Sequence, residues 1–148
     1  EGERHHFLAC SVLEATWLDT VSAHRQRPFL FLAEGVFMYF TEAQVKSLVL
    51  TLRDRFPGAE LVFDAISPFE LWVGNLRLAI SKLGARAHWR LRRGQEIEGW
   101  GDGIHLLDEW GFFDQPEPRL ASFRWMAPLF RLFKPMRIFH FQLGKVAG

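Results

Sequence analysis

The chain has 148 residues, a length that fits one domain of ordinary size with a substantial core. Lys and Arg together number 18 and Asp and Glu 17, so the net charge is +1 and the basic excess typical of nucleic-acid-binding proteins is missing. A hydrophobic share of 49% with a charged share of 24% excludes intrinsic disorder. The single cysteine excludes an internal disulfide framework.

The amino-terminal residues, EGERHHFLAC, lack the basic and apolar regions of a secretion signal, and we expect the chain to start partway through a domain. The longest apolar run, at residues 28–40, is interrupted by Glu34 and Gly35 and is too short to span a bilayer. We therefore expect a cytoplasmic protein with no membrane partner.

The first part of the chain predicts two strands separated by a helix. HHFLAC, at residues 5–10, is typical of a strand, and Thr16 with Asp19 forms a capping box that predicts a short helix to about His24. FLFLA, at residues 29–33, is apolar without alternation, which is typical of a central parallel strand that is covered on both faces.

A second capping box, TEAQ, begins at Thr41 and closes at Gln44. It predicts a helix that Pro57 and Gly58 end. One face of this helix is apolar and is expected to face the core; it consists of Val45, Leu48, Val49, Leu52 and Phe56.

ELVFDA, at residues 60–65, has the same apolar pattern as the strand before it. Ser67 then begins SPFE, whose proline and glutamate predict another helix, ended by Gly84. The order β-α-β-α-β-α predicts an α/β fold in which a parallel sheet carries helices on both faces.

The second half of the chain is less regular. Residues 86–93, RAHWRLRR, predict a loop or a surface strand that forms a solvated basic face. Asp102 is expected to cap a short helix that carries Ile104, Leu107 and Trp110 and ends at Gly111. Residues 114–136 predict an irregular excursion, and residues 136–145, MRIFHFQLGK, alternate apolar and polar side chains as a terminal strand does.

The strongest functional signal is Glu34-Gly35, which follows the FLFLA strand directly. In open α/β sheets, ligands bind beyond the carboxyl ends of the strands. A carboxylate at this position can accept hydrogen bonds from a ribose or an ammonium group, and a glycine lets the backbone approach a ligand closely. A turn-capping or ion-paired Glu34 is the structural alternative.

AEGVFMYFTEAQVKSLVLTLRDRFPGAELVFDAIS, at residues 33–67, resembles the central block of the leucine carboxyl methyltransferase family, and in particular its tetracenomycin-type polyketide O-methyltransferase branch. GWGDGIHLLDEWGFFD and the closing RIFHFQLGK are similar to that branch too. The resemblance implies a Rossmann-like class I methyltransferase sheet that lacks its first strands. It also implies that residues 1–148 form the carboxyl-terminal portion of one methyltransferase domain, from about its third strand to its end.

The resemblance implies S-adenosyl-L-methionine as the cofactor. The family's acidic residue after the fourth strand, which approaches the cofactor, corresponds to Glu34, with Gly35 following it. The stretch that borders the adenine corresponds to Ser11 and Val12, where many members have Asp-Leu, so Ser11 is a departure.

Two further residues are assigned to the substrate on the same resemblance: Tyr39 and Asp64, the second at the rim of the family's fifth strand. No catalytic base is assigned. His88, His105 or His140 could take a proton from a phenol, although each is more often a packed or solvated side chain. A carboxylate acceptor needs no base, because it is already ionised at neutral pH.

The family's glycine-rich turn after its first strand and the acidic residue after its second strand have no counterpart in these residues. GWGDG, at residues 99–103, has the glycine spacing but does not follow a buried strand, so we interpret it as unrelated to a cofactor loop. No metal site is expected either. His5 and His6 have no acidic residue or cysteine at ligand spacing, and Cys10 is expected to be an inert core thiol.

In the family's sheet, the first two strands lie between the third and the fourth. Without them, one edge of the FLFLA strand would be exposed, and an exposed apolar edge is a template for pairing with another chain. We therefore expect a homo-oligomer, with strands exchanged between copies, or a preceding amino-terminal half that covers the edge.

These observations predict an S-adenosylmethionine-dependent O-methyltransferase whose partner is a small-molecule acceptor, methylated on a carboxylate or a phenolic hydroxyl. The alternative is a truncated domain that oligomerises and binds no cofactor. Nucleic-acid binding through residues 86–93 is a third hypothesis, which the near-neutral charge disfavours.

Overall fold

The structure, a computed structural model, describes residues 6–23, 28–67, 86–111, 114 and 136–145. The helices in these residues are α1 (Thr16–Ala23), α2 (Glu42–Arg55) and α3 (Gln95–Glu98), and a 3-10 turn spans Phe37–Tyr39. The strands are β1 (Leu30–Ala33), β2 (Ala59–Ile66), β3 (Ile104–Gly111) and β4 (Met136–Leu143). No helix within the described ranges is long and apolar enough to cross a membrane.

The strands form one sheet in the order β1-β2-β4-β3. β1 is parallel to β2, with Leu32 opposite Val62, whereas β4 is antiparallel to both β2 and β3. The predicted α/β fold class is confirmed, with a mixed sheet in which the described parallel pair is β1 and β2.

One face of the sheet, which we call the covered face, carries the core. Phe63 of β2 lies opposite Phe139 of β4, and Leu61 lies opposite Phe141, so four large side chains share this face. All four are 0–1% exposed, and the ring centroid of Phe63 lies 5.7 Å from those of Phe139 and Phe141.

Helix α2 covers this face, as its sequence predicts. The amide of Gln44 donates to Oγ1 of Thr41 at 3.3 Å, and the amide of Thr41 donates to Oε1 of Gln44 at 2.8 Å, so the predicted capping box is formed. The whole predicted apolar face of this helix is buried in the core: Val45, Leu48, Val49, Leu52 and Phe56. The helix ends at Arg55, and Gly58 then takes a φ of 85° before β2 begins.

Helix α1 also packs against the covered face. Leu18 belongs to the same core, the ring of Trp17 packs edge-on against that of Phe31 at 6.2 Å, and Arg55 of α2 pairs with Asp19. The predicted short helix is confirmed, but it begins at Thr16, which is therefore its first residue and not the residue before it.

The other face of the sheet, which we call the open face, is exposed at β1. Leu30 and Leu32 point to this face and are 64% and 71% exposed. The prediction that the FLFLA strand is buried on both faces is therefore wrong, although the strand itself is confirmed. Because β1 lies at the end of the strand order, its second edge has no partner among the described strands.

Two predicted elements are wrong. The described part of HHFLAC, residues 6–10, is not a strand, because the amide of Cys10 donates to the carbonyl of Leu8 and folds the backbone into a tight turn. The helix predicted from Asp102 is instead strand β3, because its residues pair in antiparallel register with β4. An irregularity between Leu106 and Asp108 interrupts the strand's alternation, so the apolar spacing imitates a helix.

The predicted terminal strand at 136–145 is confirmed as β4. The helix predicted to follow Ser67 and the excursion predicted for 114–136 lie outside the described residues, apart from the residues at their ends.

Candidate functional site at the carboxyl ends of the parallel strands

The loop that leaves β1 is fixed to β2 by one short hydrogen bond. The amide of Gly35 donates to Oδ1 of Asp64 at 2.7 Å. Asp64 is 8% exposed and lies in β2, so its carboxylate spans from one parallel strand to the turn that follows the other. Bonds of this kind, with an ionised acceptor, are stronger than neutral ones. Asp64 therefore shapes the loop at the site's centre.

Gly35 adopts a φ of 66°, in the left-handed region that disfavours side chains. Among the described residues, and apart from its two chain neighbours, no atom lies within 4 Å of the position that a Cβ would take at Gly35, so these residues leave the space beside it open. The glycine is thus required by backbone conformation, while the open space permits a ligand to approach this backbone.

Glu34 is exposed at the same turn. Among the described residues, none donates a hydrogen bond to its carboxylate and none forms an ion pair with it. The turn-capping and ion-paired alternatives therefore find no support in the described part of the chain. The carboxylate is available to accept hydrogen bonds from a ligand beyond β1.

The segment that contains Ser11 and Val12 lies beside β1. The indole Nε1 of Trp17 donates to the carbonyl of Val12 at 2.9 Å, which ties this segment to α1. Val12 is half-buried, whereas Ser11 is exposed and its Oγ accepts from the amide of Leu13 at 3.3 Å. Of the two residues assigned to the adenine, Val12 faces the interior and Ser11 caps its own turn.

A cavity of about 310 Å³ separates this segment from β1 and α2. Val12 and Trp17 form one side, Ala33 and Phe37 another, and Cys10 also lines it. The cavity is predominantly apolar, and its position next to Ala33 puts it just before Glu34 in the chain. An apolar cavity of this kind suits the flat ring system of a ligand.

Cys10 and the histidines of the described residues lie in different surroundings. The expectation that Cys10 is a core thiol is wrong, because Cys10 is exposed. His88 and His105 are exposed, and Nε2 of His140 lies 2.7 Å from Oε2 of Glu60 near the amino end of β2, away from Gly35. Within the described ranges, no group of three or more His, Cys, Asp or Glu could hold a metal ion.

Tyr39 closes the 3-10 turn after Gly35 and is 43% exposed, while Phe37 in the same turn is buried. The structure thus brings Glu34, Gly35 and Asp64 together. Val12 does not join this group directly. It lines the same cavity as Ala33, the residue that precedes Glu34.

A segment that was not among the predicted site residues, residues 86–92, crosses the sheet at the carboxyl ends of the parallel strands. The amides of His88 and Trp89 both donate to the carbonyl of Met38, at 2.7 and 3.1 Å. The amide of Leu91 lies 3.4 Å from the carbonyl of Ile66, at the end of β2. Residues 86–92 therefore run from the turn after β1 to the end of β2. Their alternation of apolar and basic side chains was a sequence signal for a segment that is buried on one side, although it did not indicate where the segment lies.

The GWGDG segment does not have the geometry of a cofactor loop. It follows the short helix α3 and leads into β3, so its order is helix, turn and strand, the reverse of a glycine-rich cofactor turn.

No family model matches the chain. The chain is 28% identical over 116 residues to the tetracenomycin polyketide synthesis O-methyltransferase TcmP of Streptomyces glaucescens, a match that covers 78% of this chain and 42% of that protein. The chain therefore spans less than half the length of this curated relative.

The fold is similar to the crystal structure of a DUF574 family protein from Streptomyces avermitilis MA-4680. The TM-score is 0.60 and the identity 14%, and the match covers 90% of this chain and 53% of that one. Together with the parallel β1-β2 pair and the flanking helices, this similarity shows that the chain has a Rossmann-like α/β fold.

Proposed function

We propose that this chain is part of an S-adenosyl-L-methionine-dependent O-methyltransferase that methylates a carboxylate or phenolic hydroxyl of a small, polyketide-like molecule. The observation that carries the proposal is the similarity to a polyketide O-methyltransferase over 78% of the chain. The Rossmann-like fold and the exposed carboxylate of Glu34 after β1 support it, because such folds bind their ligands beyond the carboxyl ends of their strands.

The described residues fit part of this cofactor. The apolar cavity beside Val12 and Ala33 suits the adenine, and the exposed carboxylate of Glu34 suits a hydroxyl or ammonium group. The space that the described residues leave open beside Gly35 would admit the cofactor. The Oγ of Ser11 already accepts a hydrogen bond from the amide of Leu13, and its O–H can still donate to a ligand.

When bound, S-adenosylmethionine supplies an electrophilic methyl group to the acceptor oxygen, whose electron pair forms the new C–O bond as the S–C bond breaks. The protein's contribution is alignment of the two reactants, and alignment can lower such a barrier greatly. Asp64 serves it indirectly by holding the turn that carries Glu34. Tyr39 and the carboxyl end of β2, where Asp64 lies, are proposed to border the acceptor.

We further propose that residues 1–148 are the portion of one methyltransferase domain from about its third strand to its end. The chain matches 42% of its curated relative and 53% of the similar structure, which fits a partial domain. The edge of β1 that has no partner among the described strands is then the place where the remaining strands, or a second copy of this chain, pair with the sheet.

A methyl-transfer assay tests the proposed activity. The full chain is incubated with methyl-labelled S-adenosylmethionine and with 1-naphthol or 1-naphthoate as acceptor. We expect labelled methyl ether or ester, with demethylated cofactor formed in equal amount. Replacing Glu34 with Ala should lower the rate by about tenfold, the loss expected for one charged hydrogen bond.

Glu42→Ala is the matched control, because Glu42 is also exposed but lies on α2, outside the proposed site. Equal rates for the Glu34 variant and this control would contradict the role of Glu34. No labelled oxygen product with either acceptor, together with no cofactor turnover, would contradict the proposed activity.

A further inference from the structure

Residues 86–92 carry a row of exposed basic side chains on a buried support. Ala87, Trp89 and Leu91 are 6%, 4% and 3% exposed. The side chains that alternate with them are exposed, and we call these the basic strip: Arg86, His88, Arg90 and Arg92. Burial thus alternates with the period of an extended chain, and the buried residues fix the side on which the basic residues lie.

The backbone of the strip is held at several points. The amides of His88 and Trp89 donate to the carbonyl of Met38 in the turn after β1. At the other end of the strip, Nη1 of Arg137 donates to the carbonyl of Arg92 at 3.0 Å, and Arg137 is itself fixed by an ion pair with Glu109 of β3. The basic side chains therefore project from a backbone that is tied to the turn after β1 and to the sheet.

The arginines of the strip have no carboxylate partner among the described residues, where the ion pairs involve other cations. Alternate residues of an extended chain lie about 7 Å apart, so Arg86, Arg90 and Arg92 place three like charges within about 20 Å. In a chain whose net charge is only +1, this row is a local concentration of positive potential. An anionic partner would relieve the repulsion within it.

The composition of the strip decides which kind of anionic partner fits it. Surface elements that bind membranes insert exposed apolar side chains, and proteins that bind single-stranded nucleic acids stack bases on exposed aromatic rings. The strip offers neither, because its apolar residues, Trp89 among them, are buried. The near-neutral net charge also disfavours a nucleic acid. Guanidinium groups bind carboxylates through paired, charge-assisted hydrogen bonds, so carboxylates are the groups that the strip fits best.

We propose that the basic strip is a docking surface for an acidic segment of a partner protein, whose carboxylates pair with the row of guanidinium groups. Residues four apart on one face of a helix are separated by about 6 Å along its axis, close to the spacing of the strip. Complementary charge of this kind speeds association and selects the partner. The inference goes beyond the proposed function and does not rest on it, because no residue of the strip is assigned to the cofactor or the acceptor.

Binding of two helical peptides tests the inference. Both are alanine-based and contain the same number of glutamates, which lie four residues apart on one face in the first peptide and are spread around the helix in the second. Their dissociation constants for the full chain are measured by fluorescence anisotropy. Because one exposed ion pair changes an affinity by about twofold, we expect the one-faced peptide to bind about fivefold more tightly at low salt. The preference should weaken as salt is added.

The matched variants are Arg90→Gln within the strip and Lys145→Gln, which is exposed after β4, near the amino end of β2. Each removes one positive charge. We expect Arg90→Gln to weaken binding of the one-faced peptide by about twofold and Lys145→Gln to leave it unchanged. Replacing Arg86, Arg90 and Arg92 together with Gln should abolish the preference between the peptides. Replacing the same three with Lys should retain part of it, because Lys keeps the charge without the paired geometry.

Equal affinities for the two peptides would overturn the inference, as would a preference that survives the triple Gln substitution in a variant whose circular dichroism shows it to be folded. Tighter binding of a uridine oligonucleotide than of the one-faced peptide, lost in the triple Gln variant, would overturn it in favour of a nucleic acid. Tighter binding of vesicles rich in phosphatidylserine, lost in the same variant, would overturn it in favour of a membrane surface.

Discussion

The two faces of the sheet differ sharply at β1. On the covered face, Phe31 packs against the ring of Phe56 with centroids 5.1 Å apart. One residue along the same strand, Leu32 points to the open face with 71% of its surface exposed. Adjacent residues in one short strand therefore lie in a packed core and in solvent.

This difference separates the face of the sheet that the described residues cover from the face that they leave exposed at β1. The covered face has its helices and a continuous aromatic core within the described residues. The open face at β1 has large apolar side chains that the described residues leave uncovered, next to a strand edge that has no partner in the described part of the sheet. Surfaces of this type are commonly interaction sites, which agrees with our proposal that further strands or a second copy pair there.

The largest expected effect concerns the centre of the covered face. Phe63 contacts the rings of Phe37, Trp89, Phe139 and Phe141. Phe63→Ala should lower the free energy of unfolding by about 3–5 kcal/mol, because it leaves a cavity among these rings. The measurement is urea denaturation followed by tryptophan fluorescence. A loss below about 1 kcal/mol would contradict the account of this core.

The second effect concerns the contact between the two parallel strands at the site. Asp64→Ala should cost about 1.5–3 kcal/mol, because it removes the charged acceptor of the Gly35 amide. Asp64→Asn keeps an acceptor oxygen and should lose less. Denaturant unfolding of both variants checks this order, and an equal loss in the two would show that the hydrogen bond is not what Asp64 contributes.

The third effect concerns the helix that covers the core. Thr41→Ala removes the side-chain acceptor of the capping box on α2 and should cost about 1 kcal/mol. Thr41→Ser keeps the acceptor and is the matched control. Thermal denaturation measured by circular dichroism compares the two, and a Ser variant as unstable as the Ala variant would argue against the cap.

The smallest effect on the stability of the folded chain is expected on the open face. Leu32→Lys changes an exposed side chain, so we expect a change in unfolding free energy within about 0.5 kcal/mol. If two copies pair along β1, the same substitution should shift the protein from dimer to monomer in sedimentation velocity. Leu107→Lys, at an exposed position on the strand at the other end of the sheet, should not. A wild-type monomer would contradict pairing between copies.

The sequence was most informative where one local rule agreed with burial. The Thr41-Gln44 capping box and the apolar face that follows it predicted α2, and both occur in the structure. The apolar run at 60–65 likewise predicted β2, because its composition agrees with the burial of this strand in the core. Local pattern and tertiary packing coincide in these elements, so each could be recognised without its partners.

The errors have a different origin. Ile104, Leu107 and Trp110 are spaced as on a helix, but they belong to β3, whose irregularity at 106–108 removes the strict alternation of a strand. The apolar residues 6–10 have the composition of a strand but fold into a turn. β1 has the composition of a central strand and lies at the edge of the described sheet. For β1 and β3, pairing between distant segments decides the outcome, and composition does not contain that information.

The candidate site was predicted in part. Glu34 and Gly35 could be placed at the end of a strand from the sequence, but the bond between Gly35 and Asp64 joins residues 29 apart in the chain. The position of residues 86–92 likewise depends on their backbone hydrogen bonds to Met38 and Ile66. Local patterns give no access to such contacts.

The central claim is that the carboxyl ends of β1 and β2 bind a methyl-donor cofactor. Its most direct test is calorimetric titration of the full chain with S-adenosylmethionine. We predict saturable binding with one site per chain, weakened about tenfold in Glu34→Ala and unchanged in Glu42→Ala. Absence of any binding heat at millimolar cofactor, with the protein folded, would contradict the claim.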